Sequence, residues 1–405
     1  MPVRTGNFMG QVGFGSFAAL GLETLTSAPP EREKYYVALE VGEVCQLKCK
    51  HCIYHRQKAQ SPAPSEVVFT NIVSAMARGF DPIWVSLAGK EPTIFPRALL
   101  ELASATRRPE RLNILMTNGL RLNGGLARQL SELIDNFDIS LDGEEGAHDW
   151  MRGRGSFRKT WNNLSALHER YPNRIGIIAT AVHGSLPDGR DQHSDIVALA
   201  RRLRDRFGTD GRLSLSLSLY YDSPDHPMLL DADDIIALMR NLQDTGFPTR
   251  VLVTANYAHL WPAVRAGIGW ENLPIEYDAR TGIPLVKSGS LSAVLFNLTE
   301  TPQLGIRISN EGLVYVGCNH LALGDRAAPH CIGDLAEESL VDVIDRIANN
   351  TQPLISTLAE PPSFCQECDN WPLCRGGDRL SGVYFCGRPL DPYCPLVDPH
   401  SLPNA

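Results

Sequence analysis

The sequence predicts an α/β protein built as a partial (β/α)6 TIM-like barrel, followed by a cysteine-rich C-terminal domain. Three observations predict it. Apolar runs alternate with amphipathic stretches along the first half of the chain, no apolar run is long enough to span a membrane, and the ten cysteines fall in two groups. Alternating strands and helices favour a parallel sheet with right-handed crossovers, which curls toward a barrel. A doubly wound open sheet is the alternative.

Six strands are predicted from short apolar runs. They span 35–39, 83–87, 112–116, 137–141, 175–182 and 213–220. Six helices are predicted from apolar residues at three-to-four spacing. They span 65–77, 97–106, 124–134, 157–170, 195–207 and 231–244. Each strand is thus followed by a helix.

The pattern also predicts how the chain divides. An N-terminal arm covers 1–34 and the barrel covers 35–250. From 251 to 304 proline, glycine and asparagine loosen the pattern, which indicates a connecting region. The C-terminal domain covers 305–405 and opens with a hairpin at 305–316, whose turn is Asn310-Glu-Gly.

Composition excludes several classes of protein. With 43% hydrophobic and 21% charged residues the chain is globular and can bury a core. Lys and Arg number 38 against 46 Asp and Glu, for a net charge of −8. No nucleic-acid partner is expected, because sequence-independent binding needs clustered cations. Without a membrane span or a signal-peptide pattern the protein is predicted to be cytoplasmic, where cysteines serve metal or redox chemistry rather than disulfides.

The first cysteine group lies directly after the first predicted strand, as Cys45-x3-Cys49-x2-Cys52. Three thiolates on one loop can hold three irons of a cubane cluster and leave the fourth iron open for a cofactor. A tetrahedral zinc would need a fourth ligand. The loop follows a barrel strand at its C-terminal end, where such folds place their chemistry. A zinc knuckle and incidental cysteines are the alternatives.

With this loop in place, the sequence resembles the radical S-adenosylmethionine (SAM) enzymes. The segment Ala88-Gly-Lys-Glu-Pro92 is similar to the Gly-Gly-Glu-Pro segment of that superfamily, with Lys90 in place of the second glycine. The resemblance implies that Gly89 and Glu91 lie along the methionine half of SAM, with the carboxylate facing the amino group. Thr117-Asn-Gly119 resembles a recurrent turn of the family.

Two further stretches resemble members that modify peptides or sulfatases. They are Ile139-Ser-Leu-Asp-Gly143, and the run from His148-Asp149 to Arg152-Gly-Arg-Gly-Ser-Phe157. The resemblance implies that Ser140 approaches the ribose or carboxylate of SAM and that Arg152 pairs with its carboxylate. A solvated basic loop that caps the next helix is the alternative.

The family chemistry implied by this resemblance begins when the open iron chelates SAM. An electron donor such as flavodoxin or ferredoxin reduces the [4Fe-4S] cluster. The reduced cluster then passes one electron into the sulfonium. The 5′-deoxyadenosyl radical so formed abstracts hydrogen from an unactivated carbon. A barrel closed by a second domain would keep such a species from solvent.

Seven cysteines lie between residues 318 and 394. The pattern Cys365-x2-Cys368-x5-Cys374-Arg-Gly-Gly, with Asp391-Pro-Tyr-Cys394 downstream, resembles the SPASM domain, a C-terminal extension that carries auxiliary iron-sulfur clusters. By this resemblance these four cysteines hold one complete cluster. A second cluster would begin with Cys318 and Cys331 and lacks two of the usual thiolates. The candidates to complete it are Asp378, Cys386, His320 and His330. An open iron, a two-iron cluster, its absence and a zinc site are alternatives, so one or two auxiliary clusters are expected.

The leading functional hypothesis is oxidative modification of a peptide or protein side chain, with an auxiliary cluster as electron acceptor. Alternatives are dehydrogenation or epimerisation of a small-molecule natural-product precursor such as an aminosugar, and a non-catalytic iron-sulfur or zinc scaffold. Strand ends supply candidates for substrate contact, hydrogen donation or proton transfer. They are His183, Tyr220, Tyr221, Asp222 and Thr254. Cys386 is a candidate thiol hydrogen donor, which would make the enzyme an epimerase.

Overall fold

The computed structural model describes most of the chain. The described residues are 25–26, 34–56, 66–82, 84–109, 111–171, 174–186, 189, 191–210, 213–222, 225–278, 283–295, 303–317, 327–349, 353–354, 362–374 and 376–397. Most of the predicted N-terminal arm, together with Cys318 and His320, lies outside them. The backbone of Cys386 is described but its side chain is not.

The described strands all join one sheet. They are β1 Leu25–Thr26, β2 Lys34–Glu40, β3 Trp84–Ala88, β4 Leu112–Thr117, β5 Asn136–Ser140, β6 Arg174–Ala181, β7 Leu213–Leu219, β8 Thr249–Val253, β9 Glu276–Asp278, β10 Pro284–Ser288, β11 Leu291–Leu295, β12 Gln303–Ile308, β13 Leu313–Val316 and β14 Gly333–Asp334. The sheet has 14 strands in the order β1-β9-β10-β11-β8-β7-β6-β5-β4-β3-β2-β12-β13-β14.

Helices follow the central strands. They are α1 Glu66–Ala77, α2 Pro96–Thr106, α3 Gly124–Leu130, α4 Glu145–Arg152, α5 Ser156–Arg170, α6 Gln192–Phe207, α7 Ala232–Gln243, α8 Trp261–Gly267 and α9 Leu340–Ala348. Shorter helices span Ser363–Gln366, Trp371–Cys374 and Arg379–Cys386. None of the helices in the described ranges combines the length and the apolar character needed to cross a bilayer.

The topology confirms the predicted partial barrel. Strands β2 to β8 are neighbours in chain order and pair in parallel. A doubly wound sheet would reverse its strand order at a switch point, so that alternative is wrong. Within the described part of the chain the two ends of the sheet do not pair with each other, and the sheet is a curled half-barrel.

Side chains that accept hydrogen bonds from the first turn set several helix starts. Asn123 caps α3 and Asp191 caps α6. At α7, Asp231 and Asp234 bond to each other's backbone and form a capping box. Helix α3 ends at Leu130, earlier than predicted. Helix α4 was not predicted, because its eight residues make only about two turns.

The interval 251–304 contains more regular structure than the predicted connecting region. Strands β9, β10 and β11 and helix α8 all lie there, and β11 pairs in parallel with β8. The predicted hairpin is confirmed, since β12 and β13 pair in antiparallel around the Asn310 turn. Strand β12 also pairs in parallel with β2. The C-terminal part of the chain therefore extends the barrel sheet itself.

Candidate active site

A cavity of about 420 Å³ opens at the C-terminal ends of the parallel strands. Parallel strands end at the same edge of a sheet, so residues far apart in sequence meet there. The cavity lining includes all three cysteines of the first group. Of the other predicted site residues, it includes Gly89, Ser140, Arg152, Tyr220 and Tyr221. The segments singled out in the sequence therefore face one common space.

The loop with Cys45, Cys49 and Cys52 is fixed by backbone hydrogen bonds. The backbone N of Cys52 donates to the carbonyl of Cys49 at 3.1 Å, and Lys50 N donates to Met151 O, at the end of α4, at 2.9 Å. Burial raises the pKa of Cys49 to about 12, although the nearby Arg152 guanidinium acts in the opposite direction. The Cys49 thiol is thus protonated in the absence of metal, and binding iron as a thiolate would release that proton.

The donor set of this loop fits a cluster better than a single ion. Among the described residues no three His, Cys, Asp or Glu side chains are grouped so that they could hold one metal ion. In an iron-sulfur cubane each thiolate binds a different iron, so the three sulfur atoms need not converge on one point. Three thiols that face one cavity meet that requirement, and a cubane held by them would have one iron without a protein thiolate.

Glu91 lies beneath the cavity wall and is not part of its lining. Its carboxylate is fully buried and accepts hydrogen bonds from Thr93 N at 3.1 Å, Thr117 Oγ1 at 2.7 Å and Asn118 N at 2.8 Å. Asn118 in turn lies 3.8 Å from the Cys45 sulfur through its side-chain amide. Glu91 therefore anchors the Thr117 turn, which reaches the cysteine loop.

Gly89 allows the segment that follows β3 to lie close to the segment that follows β2. Its φ is +113°, and a Cβ at this position would lie 2.9 Å from the carbonyl oxygen of Gly42. A side chain would collide with backbone that cannot move away cheaply. The glycine thus permits the backbone of Gly89 and Lys90 to line the cavity.

We expect Glu91→Gln to lower the free energy of unfolding by about 1–3 kcal/mol. A glutamine keeps the size of the side chain but puts an NH2 group where Thr117 or Asn118 donates a hydrogen bond, so a buried donor loses its acceptor. Urea denaturation of the iron-free protein measures this. Glu101→Gln is the matched control, since Glu101 forms an exposed pair with Arg97. A Glu91→Gln protein of unchanged stability but weakened SAM binding would instead indicate direct contact with SAM.

Arg152 is held in the cavity wall by Asp142. Its Nε lies 2.5 Å from Asp142 Oδ2 and its Nη2 lies 3.1 Å from Oδ1, and both side chains are nearly inaccessible. Burial alone would raise the pKa of Asp142, but Arg152 and then His51 hold that pKa well below its ordinary value. Thr180 N also donates to the carboxylate, at 2.9 Å. The ion pair fixes one guanidinium beside the cysteine loop.

A second buried ion pair borders the cavity from the other side. Arg307 of β12 and Glu40 at the end of β2 are 1% and 3% exposed, and their charged atoms lie 2.5 Å apart. Tyr54 stacks on the guanidinium and its hydroxyl contacts it. Arg307 and Tyr54 both line the cavity. A residue of the C-terminal part thereby forms part of the barrel site.

Sequence reasoning assigned no role to Asp142, Glu40, Tyr54 or Arg307. A signal was present for the two pairs: Glu40 and Arg307 are charges at or within apolar strand segments, and Asp142 directly follows an apolar strand. Buried charges of this kind are usually paired. Tyr54 carries no such signal.

The substrate candidates separate in the structure. Tyr220 and Tyr221 line the cavity, and the Tyr220 hydroxyl donates to buried Asp222 Oδ2 at 2.8 Å. His183 is exposed and pairs with Asp234, whose carboxylate raises the pKa of the imidazole. Thr254 is buried, donates to Asn256 at 2.6 Å and is not part of the cavity lining.

The C-terminal cysteines form a second site away from the cavity. Cys365, Cys368, Cys374 and Cys394 line one small pocket together with Asp391. Burial raises the pKa of Cys374 to about 12 and that of Cys365 to about 11. The structure thus brings together the four cysteines that were assigned to one auxiliary cluster.

The residues proposed for the other auxiliary cluster have different partners. Both Asp378 carboxylate oxygens accept hydrogen bonds from Ser381, so Asp378 caps the helix Arg379–Cys386. The Cys331 thiol donates to Gly333 O at 3.0 Å. The His330 ring packs on Tyr384, with centroids 4.4 Å apart. Ligation by Cys318 or His320 falls outside the described residues, and that by Cys386 concerns a side chain that is not described.

The fold and the site together describe an α/β half-barrel whose cavity, at the strand ends, is lined by three cysteines. Residues 39–206 match the family model described as Radical SAM superfamily. That superfamily implies a [4Fe-4S] cluster and SAM. GTP 3′,8-cyclase of Pectobacterium atrosepticum is 23% identical over 144 residues, which are 34% of this chain and 44% of that protein. The match thus spans less than half of that curated relative.

Two solved structures share the fold over most of the chain. The protein anSMEcpe with bound AdoMet superposes with a TM-score of 0.59 at 18% identity, over 89% of this chain and 90% of that one. SuiB of Streptococcus suis, bound to its precursor peptide SuiA, gives a TM-score of 0.61 at 14% identity, over 89% of this chain and 74% of that one. At these identities the likeness establishes the fold alone.

Proposed function

We propose that the protein is a radical SAM enzyme that oxidatively modifies a peptide or protein side chain. The observation that carries the proposal is the single cavity on which the three-cysteine loop, the Gly89 and Ser140 segments, and the Arg152 guanidinium converge. In this proposal Cys45, Cys49 and Cys52 hold the [4Fe-4S] cluster, which with SAM supplies a 5′-deoxyadenosyl radical for hydrogen abstraction.

The chain's own residues would bind and orient SAM. Arg152 presents a fixed guanidinium to a carboxylate, because Asp142 already holds its orientation. Ser140 offers a hydroxyl at the end of β5, and the backbone of Gly89 and Lys90 lies along the same wall. Glu91 would act by positioning Asn118 rather than by touching SAM.

The hydrogen-bonded pair of Tyr220 and Asp222 is the proposed proton acceptor. After hydrogen abstraction, loss of one further electron from the substrate radical would complete a two-electron oxidation and release one proton, which needs a base at the cavity wall. Tyr220 lines the cavity and its hydroxyl donates to the Asp222 carboxylate, so in this proposal the hydroxyl would take a substrate proton while it passes its own to Asp222. The electron would go to an auxiliary cluster at the C-terminal cysteines.

A peptide substrate is favoured by the fold neighbours. Solved structures of anSMEcpe and SuiB contain bound peptides as well as AdoMet. The cavity, of about 420 Å³, is lined by tyrosines and by Arg307, which suits a side chain presented from a chain outside the barrel.

The test uses anaerobically reconstituted protein with SAM and dithionite. The substrate offered is a fully deuterated synthetic copy of a short peptide encoded beside the gene for this protein. We expect 5′-deoxyadenosine that contains deuterium, and a peptide that has lost two hydrogen atoms for each 5′-deoxyadenosine formed. Mass spectrometry measures both. A scrambled peptide of the same composition is the control. Deuterium transfer from an aminosugar and none from any peptide would overturn the peptide assignment in favour of small-molecule chemistry.

A further inference from the structure

The turn that follows β7 belongs to the cavity wall and is held from two sides. Its first residue, Tyr220, lines the cavity, and Asp222 beneath it is 1% exposed. Inside the barrel, Tyr220 N donates to Ala181 O at 2.9 Å, and the Tyr257 hydroxyl donates to the Tyr220 carbonyl. These bonds fix Tyr220, whereas the carbonyl of Asp222 is bound by a residue from the other end of the chain.

That residue is Tyr393, whose hydroxyl donates to the Asp222 carbonyl oxygen at 2.5 Å across 171 residues of sequence. The phenol hydroxyl is the donor in this bond, because a carbonyl oxygen can only accept. The next residue is Cys394, which lines the C-terminal cysteine pocket. One side chain thus joins the cavity wall to the second cysteine site.

The backbone around Tyr393 leaves little freedom for independent movement. Tyr393 N donates to Asp391 Oδ1 at 3.0 Å, and the Asp391 carboxylate is buried in the pocket wall. A Cβ on Gly377 would lie 1.8 Å from Asp391 Oδ2, so this carboxylate packs directly against backbone. A shift of Cys394 therefore moves Tyr393 with it.

We propose that Tyr393 is a positioning residue that couples occupancy of the pocket formed by Cys365, Cys368, Cys374 and Cys394 to the Tyr220–Asp222 pair. A metal cluster bound by these thiolates restricts Cys394, which restricts Tyr393 and the turn bonded to it. The functional role of this coupling rests on the proposed function, in which the Tyr220–Asp222 pair accepts the substrate proton. With both sites in place, the Asp222 end of the base would be held more firmly when the electron acceptor is present.

Hydrogen exchange measures this coupling without any substrate. The full-length protein is compared in iron-free form and after anaerobic reconstitution with iron and sulfide, and exchange is followed in peptides that cover 219–222. We expect reconstitution to slow exchange there roughly five-fold, the effect of one stabilised hydrogen bond. In Tyr393→Phe this slowing should be lost. Tyr384→Phe is the matched control, since Tyr384 donates from the same region to Val316 O instead.

A second variant covers the case in which Tyr393→Phe does not fold. In Cys368→Ala the N-terminal loop still takes up iron, so exchange at 219–222 should stay at the iron-free rate if the C-terminal pocket is the source of the effect. Slowing that persists in Tyr393→Phe or in Cys368→Ala would overturn the proposal. With substrate, Tyr393→Phe should also form less product for each 5′-deoxyadenosine. The exchange result stands independently of whether the substrate is a peptide.

Discussion

Replacing Cys45, Cys49 and Cys52 together by alanine is expected to remove about four irons per chain and to abolish reductive cleavage of SAM. The three thiols face one cavity, and in the proposed function each of them binds a different iron of the cluster. Iron and sulfide analysis with Mössbauer spectra counts the clusters. Chromatography of 5′-deoxyadenosine after addition of SAM and dithionite measures cleavage.

The matched control for the cysteine variant is the same replacement at Cys365, Cys368 and Cys374. That protein should also lose iron, because these thiols line the second pocket, but it should still cleave SAM. The irons left in each variant then report the number of auxiliary clusters. Unchanged iron content in the first variant, or a zinc-filled wild type that does not cleave SAM, would contradict the radical enzyme and favour a metal scaffold.

Asp142→Asn is expected to lower the free energy of unfolding by about 3–5 kcal/mol and to weaken SAM binding, because it leaves the buried Arg152 without its partner. Both side chains of this pair are nearly inaccessible, at 10% and 0% exposed, so water cannot replace the lost carboxylate. Urea denaturation measures the stability. Equilibrium dialysis with SAM on reconstituted protein measures the binding.

The effect of Asp142→Asn should depend on pH in a defined direction. The folded-state pKa of Asp142 lies below its ordinary value, so its stabilising contribution is complete above about pH 4 and is lost as pH falls further. The difference between wild type and variant should therefore shrink in strong acid. Asp205→Asn is the control, since Asp205 pairs with Arg204 at the surface and should change stability by less than about 1 kcal/mol. An equal decrease in the free energy of unfolding in both variants would mean that the buried ion pair stabilises the fold no more than the exposed one.

The alternation of strands and helices was readable because each barrel unit shows its own periodicity. Strands β2 to β7 and helices α1, α2, α5, α6 and α7 all overlap their predicted ranges. The chain beyond the sixth unit was harder, since β9 has only three residues and β10 pairs with neighbours in antiparallel. Short edge strands have too few residues to display a period of two.

Parts of the site followed from sequence for a different reason. Cysteine spacing and the Gly89 and Arg152 segments are local patterns, and a barrel collects strand ends at one edge whatever their separation in sequence. What could not be read was which side chains pair. Arg307 meets Glu40 across 267 residues, and no local pattern predicts that contact. The same holds for Tyr393 and Asp222.

The parallel pairing of β12 with β2 has a consequence for how the chain is made. During synthesis the first barrel strand emerges long before its outer neighbour, and until residue 303 is available the edge of β2 presents unpaired backbone groups. Exposed strand edges recruit other chains, so nascent protein should be prone to association during this interval. Contacts between residues so far apart in sequence also slow folding. The barrel sheet therefore gains the neighbour of β2 on this edge only late, when β12 has been made.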